Sequence, residues 1–251
     1  MKSRHRGIKA ILAALVVVAV TTVGGSAEAG GDPQCPHGAN YASTACFIGG
    51  FIEAYTGWTN QPITMSNADL TAGRHANETL WAYGGFGTAT QCTSQWAEIG
   101  FTRGYYGQTG HYFYVARVDN GGNYADFNLG TADTTSYHTY RIRSRGGATT
   151  VYLDGVEQFS SNTVNTADRI CIAQSGVELS SGSNFTTTYI PTFYSTPLYW
   201  KDWFETWMNG WWISPDHVSQ WIDQPCGAGF SSPNCFNGVY AAVDNWGANK
   251  P

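Results

Sequence analysis

The sequence predicts a mostly β protein folded as a two-layered antiparallel sandwich. Three observations carry that expectation. From about residue 44 to residue 195, short stretches of alternating apolar and polar residues are separated by Gly- and Asn-rich turns, the pattern of half-buried strands. Charged residues are only 12% of the chain, about half the usual share, so Ser, Thr, Asn, Gln, Gly and Tyr must form much of the surface, as in many exported β proteins. Six cysteines, an even number, fit a disulfide-supported fold in an oxidising compartment.

The first element is not part of that fold. Lys2, Arg4, Arg6 and Lys9 precede an uncharged apolar run from Ile11 to Val23, and Ala27-Glu28-Ala29 follows. The run is too short to span a bilayer, which takes about 20 apolar residues. With a basic start and a small-x-small end it reads as a signal peptide, residues 1–29, cleaved after Ala29. The protein is therefore expected to be secreted and extracellular. Removing 1–29 takes away four basic residues and one acid, so the formal charge falls from −5 to −8. A chain of that sign has no general attraction for nucleic acid or anionic lipid. No later segment is apolar enough to insert in a membrane, and a monomer is expected.

The sandwich domain is assigned to 30–195. Gln95–Phe101 and His111–Asp119 read as strands. In 139–145, Tyr140, Ile142 and Ser144 alternate with Thr139, Arg141, Arg143 and Arg145, so one face carries three arginines, expected to be solvated or salt-bridged. Val151–Phe159 is a hairpin, because Asp154-Gly155 is a two-residue turn flanked by alternating residues. Many short strands between glycine turns argue for a sandwich or barrel.

The texture changes in 196–251, an aromatic-rich C-terminal cap with a disulfide loop, expected to pack on the same domain. Thr196-Pro197 resembles a helix start. Tyr199/Trp200, Trp203/Phe204, Trp207/Met208 and Trp211/Trp212 recur every four residues, a helical spacing. A short aromatic helical cap is expected, with a strand over 198–208 as the alternative. Seven of the ten tryptophans lie between 200 and 246, and their spacing favours burial.

Proximity pairs Cys35 with Cys46 and Cys226 with Cys235, leaving Cys92 and Cys171 to join distant strands; six cysteines allow 15 connectivities. No CxxC or paired Cys/His spacing points to zinc, and no metal or cofactor is expected. Asp119 and Asp126 flank the turn Asn120-Gly-Gly122 and could hold calcium, although nothing fixes a ligand set. Asn77-Glu-Thr79 and Asn184-Phe-Thr186 are glycosylation sequons. HExxH, GxSxG and P-loop patterns are absent, and the histidines have no triad or metal spacing.

The carboxylates carry more information. In Gln95-Trp-Ala-Glu-Ile-Gly-Phe101, alternation puts Ala97, Ile99 and Phe101 on one face and Trp96, Glu98 and Gly100 on the other. Glu178 stands likewise opposite Val177 and Leu179. Two carboxyl groups meeting in one site cannot both ionise cheaply, so one holds a proton, the condition for an acid/base pair. The competing expectation is that each glutamate simply pairs with an arginine such as Arg117 or Arg143.

Over roughly 80–195 the chain resembles a known group. Leu80-Trp-Ala-Tyr-Gly-Gly-Phe-Gly87, then Cys92, then Glu98-Ile-Gly100, is similar to the segment of eqolisin-type glutamic peptidases in which a Trp-x-Gly-x-x-Gly strand and turn precede a Gln-x-Gly strand whose Gln is catalytic. Neprosin-type glutamic peptidases are similar in their Tyr-Gly turn, here Tyr106-Gly107, and following aromatic strand, here Tyr112-Phe-Tyr114. The resemblance implies a concanavalin A-like jelly-roll sandwich, shared with many lectins and glucanases. It implies that Glu98 stands at the catalytic Gln position and that Glu178 is the second catalytic residue. Glu replaces Gln at 98, and the residues around Glu178 depart from the family pattern. The glucanase signature Glu-x-Asp-x-x-Glu is absent.

Three readings follow. In the first, the protein is a secreted hydrolase of polypeptides, working at acidic pH with Glu98 and Glu178 and lining its cleft with Trp81 and Trp96. In the second it is a non-catalytic carbohydrate-binding module, binding polysaccharide on Trp96, Tyr105, Tyr106 and Trp212, since flat aromatic rings stack on sugars. In the third it is a structural or interaction protein of the cell envelope.

Overall fold

Seventeen strands and one short helix form among the described residues of a computed structural model. Those residues are 41–84, 95–105, 108–164, 169–179, 188–195, 199–201, 207–209, 219–222, 237–242 and 245–250. In chain order the elements are β1 (Tyr41–Phe51), β2 (Glu53–Thr59), β3 (Thr64–Met65), α1 (Asn67–Thr71), β4 (Ala76–Gly84), β5 (Gln95–Arg103) and β6 (His111–Val118). Then come β7 (Tyr124–Thr131), β8 (Tyr137–Arg145), β9 (Ala148–Leu153), β10 (Val156–Ser161), β11 (Ile170–Leu179) and β12 (Thr188–Ser195). The last are β13 (Tyr199–Lys201), β14 (Trp207–Asn209), β15 (Ser219–Ile222), β16 (Asn237–Ala242) and β17 (Asn245–Lys250).

Two antiparallel sheets result. The first runs β15-β1-β11-β4-β5-β6-β7, and the second runs β10-β9-β8-β2-β12-β17-β16. The core lies between them, where period-2 alternation puts Leu80, Ile99, Phe101 and Val115 of the first sheet against Ala54, Trp58, Tyr140 and Ile142 of the second. Trp58 stacks on Tyr140 at 3.8 Å between ring centroids.

Local chemistry explains the turns. Asp154 and Gly155 both take positive φ, 51° and 77°, the twist a two-residue hairpin needs, and β9 and β10 pair from Leu153↔Val156 as the sequence suggests. The arginine face of β8 is salt-bridged. Buried Glu53 lies 3.4 Å from Arg141 and 3.7 Å from Arg143, and Arg141 also covers the Tyr152 ring. Helix α1 is capped by Ser66, whose hydroxyl oxygen accepts from the Asp69 N–H at 3.1 Å.

The C-terminal segment differs from the helical expectation. Its described residues are strands: Tyr199–Lys201 pairs with Trp207–Asn209 and with the edge of β2. Strand β15 extends the first sheet beside β1, and β17 joins β12 in the second. The paired aromatics satisfy either period, and an open strand edge offered partners for backbone N–H and C=O groups that a helix would have met internally. Residues 202–206 and 210–218 lie outside the described residues, as do residues 1–29, expected from sequence to be a signal peptide, and Tyr106, Trp212, Cys35, Cys92, Cys226 and Cys235. The cysteine pairing therefore stays an expectation, although no described cysteine is free.

Candidate functional site

The outer face of the first sheet carries both candidate acids. Register gives three successive rows of residues whose side chains point away from the core. The first is Glu178–Asn77–Thr102, the second Gly176–Thr79–Gly100–Tyr114, and the third Gln174–Trp81–Glu98–Ala116–Asp126. Glu178 on β11 and Glu98 on β5 thus share one face, with β4 between them. The middle row separates them, and in it Gly176 and Gly100 leave Thr79 as the only side chain between the two acids. A Cβ at Gly100 would overlap the Glu78 carbonyl and press on the Thr79 backbone at 2.9 Å. Glycine there lets β5 close onto β4.

Each acid is held by neutral donors. The Thr79 hydroxyl lies 2.9 Å from Glu98 Oε1, and the Tyr114 hydroxyl donates to the same oxygen. Asn77 Nδ2 donates to Glu178 Oε2 at 3.2 Å. Arg117 pairs instead with Asp119, and Arg143 with Glu53. Among the described residues neither Glu98 nor Glu178 has an ion pair.

Unpaired burial dominates their acidity. Glu98 is 4% exposed, and burial followed by the nearby Glu178 charge pushes its carboxyl up to about 8 against the hydrogen bonds from Tyr114, Thr79 and Trp81. Burial likewise raises half-buried Glu178 to about 7, opposed by Asn77. The two are electrostatically linked, so their protons belong to the pair.

The remaining sequence candidates divide. Trp81 and Tyr105 are buried, at 4% and 6% exposure. They brace the site and offer no open ring face. Trp96 is half-buried against Tyr124, 6.0 Å between centroids. Gly104, at φ 89°, turns the chain so that Tyr105 stacks on Tyr114 at 5.3 Å, while the Tyr105 hydroxyl donates to Asp126 at 2.5 Å. Asp119 accepts from the N–H groups of Gly121 and Asn123, both at 2.9 Å. The two aspartates therefore serve separate tasks, and no metal-ligand cluster occurs among the described residues. Asn77 is 2% exposed and engaged with Glu178, a placement that leaves no room for a glycan.

Sequence reasoning missed Thr79, Tyr114 and Asn77 as partners. One signal was available: Asn77, Thr79, Trp81 and Tyr83 alternate along a single strand, placing polar groups on the face opposite Leu80 and Ala82. Tyr114 supplies a testable contact. Tyr114→Phe keeps the ring but removes a donor that favours ionised Glu98. A hydrogen bond to a charged group is worth about 1.5–3 kcal/mol, so the Glu98 titration should rise by about one pH unit or more. Carboxyl-labelled NMR of glutamate, assigned with Glu98→Gln, reads it. An unmoved titration would mean the contact has no electrostatic weight.

No protein-family model matches the chain, and no curated protein matches it in sequence. Solved structures do match. A scytalido-glutamic peptidase bound to a transition-state analog inhibitor aligns at TM-score 0.56 and 12% identity, covering 85% of this chain and 98% of that one. A second structure of that peptidase, with a peptide-based transition-state analog, gives 0.53 and 12% over 84% and 98%. A Bacillus licheniformis β-glucanase gives 0.37 and 16% over 59% and 64%. The protein has the concanavalin A-like β-sandwich fold, in the form also found in a glutamic peptidase.

Proposed function

We propose that this protein is an exported hydrolase that cleaves peptide bonds with the Glu98–Glu178 pair. The observation that carries the reading is the placement of two raised carboxyls on one sheet face, with no arginine partner and only Thr79 between them among the described residues. The fold likeness to a peptidase supports it at the level of architecture alone.

Ionised Glu178, the less buried of the two, takes a proton from water, and the hydroxide attacks the scissile carbonyl carbon. Protonated Glu98 donates a hydrogen bond to the developing oxyanion and then gives its proton to the leaving nitrogen as the C–N bond breaks. The products are a carboxylic acid and an amine. Transfer of the Glu178 proton to Glu98 restores the starting pair. Raising both groups moves the working range up from the acid pH the resemblance implied toward neutrality.

The test is release of peptides from denatured casein by the purified mature protein, from acid to alkaline pH, beside Glu98→Gln and Glu178→Gln. Loss of activity in Glu178→Gln with retention of the fold is expected. No activity at any pH, or full activity in both variants, removes the reading.

Trp96 and Tyr124, the latter 56% exposed, favour glycan binding as a second reading on the same face. Burial of Tyr105 and Trp81 leaves that platform small. Polysaccharide pull-down that is lost in Trp96→Ala would support it.

A further inference from the structure

The proposed reaction leaves a proton shortage. Two carboxyls share one proton, yet the tetrahedral intermediate needs a donor at its oxyanion while a proton is delivered to nitrogen. Once Glu98 has transferred its proton it is an anion, and it then repels the oxyanion it had stabilised. A second donor that never gives its proton away would separate the two tasks.

Tyr83 meets that need. It stands on β4 two residues beyond Trp81, so period-2 alternation puts it on the face that carries Glu98 and Glu178. Gln174, 1% exposed, occupies the Glu98 row across Trp81. Its side-chain Nε2 donates to the Tyr83 hydroxyl oxygen at 3.0 Å. That contact fixes the hydroxyl as an acceptor from Gln174, and among the described residues the Tyr83 proton has no acceptor. A hydroxyl that already accepts a hydrogen bond is polarised into a better donor. Burial, then the charges of Glu98 and Glu178, push the phenol upward, far above its ordinary value. It stays protonated wherever the carboxyl pair works, on the sheet face that carries both acids.

Resting on the peptidase reading, we propose that Tyr83 is a third catalytic residue, whose hydroxyl, held by Gln174, donates a hydrogen bond to the oxyanion. It transfers no proton. Its effect belongs to the intermediate and the flanking transition states, because the ground-state carbonyl carries less charge.

Tyr83→Phe tests it, since the ring keeps its packing. The hydroxyl's removal should lower kcat about a hundredfold, with KM changed less than about twofold. Both limbs of the pH profile should stay in place, because Tyr83 does not titrate there. Affinity for a peptide carrying a tetrahedral hydroxyl-bearing carbon in place of the scissile carbonyl should fall with kcat/KM, while affinity for a non-cleaved substrate analogue holds. A kcat within about threefold of wild type, or an equal loss for both ligands, overturns the proposal. Wild-type protein with no peptidase activity fails earlier and sinks the parent reading, so the two failures are told apart before any variant is made.

Discussion

Glu178→Gln should lower kcat by about a thousandfold or more at every pH, whereas Glu98→Gln should cost only about ten- to a hundredfold and turn a bell-shaped pH profile into a one-sided one. The asymmetry follows from what glutamine keeps. At 178 the amide cannot accept the water proton, so the general base is gone. At 98 the amide still offers N–H donors where the oxyanion forms, and its carbonyl oxygen can still accept from Thr79 and Tyr114. Only proton delivery is lost there, and Glu178 can supply it after taking the proton from water.

The profile carries the same logic. The active wild-type pair holds one proton. Activity rises as the pair loses its first proton and falls as it loses its second, and because burial raises both groups the maximum should lie above the ordinary carboxylate range. Glu98→Gln removes the group behind the alkaline limb, and the rate should reach a plateau. Steady-state kinetics from about pH 4 to about pH 10 decide this. Retention of more than about a tenth of the rate in Glu178→Gln, or survival of the alkaline limb in Glu98→Gln, would contradict the assignment.

The second large effect concerns stability. Glu78 is fully buried on the core side of β4. Its carboxyl lies beside Trp58 and the Gln61 N–H, with neither in good hydrogen-bond geometry. Burial pushes it well above its ordinary 4.5, and its charge adds to the burial that raises the Tyr140 phenol. A raised carboxyl stabilises the fold fully below its unfolded value, and that stability is lost as pH climbs toward the folded value. The loss amounts to about 1.4 kcal/mol per pH unit for each proton withheld. Glu98 and Glu178 act in the same direction. Asp119 and Asp133 act oppositely, because backbone N–H groups hold each down to about 2, and their contribution fades only in strong acid.

Glu78→Gln should therefore leave the thermal midpoint near pH 4 almost unchanged and raise it at pH 8 by several degrees, at roughly 2–4 °C per kcal/mol for a domain of this size. A weaker residual slope from Glu98 and Glu178 should persist. An alkaline loss identical to wild type would place the destabilising ionisation elsewhere.

Much of this architecture was legible beforehand. Alternation in 95–101 and 139–145 assigned the inner and outer faces, because side chains of neighbouring strand residues point to opposite sides whatever the strand pairs with. Asp154-Gly155 fixed a hairpin, because positive φ at both positions favours such residues. The C-terminal aromatics left two readings open, since Tyr199/Trp200 and Trp207/Met208 suit a helix stripe as well as two facing strands, and the described residues there take the strand form. In the described residues the stretch Glu53–Tyr55 of β2, beyond its pairing with β12 at Trp58, takes Tyr199–Lys201 as its partner.

The chain's own pattern thus established a β sandwich and put Glu98 and Glu178 on strand faces turned away from the core. It could not say that β4 would separate their strands, that Thr79 and Tyr114 would hold Glu98, or that Glu78 would be sealed inside. Alternation is a property of each strand alone. Pairing between strands distant in sequence depends on the burial and hydrogen bonding of the whole sheet, so those contacts exist only once the tertiary fold has formed.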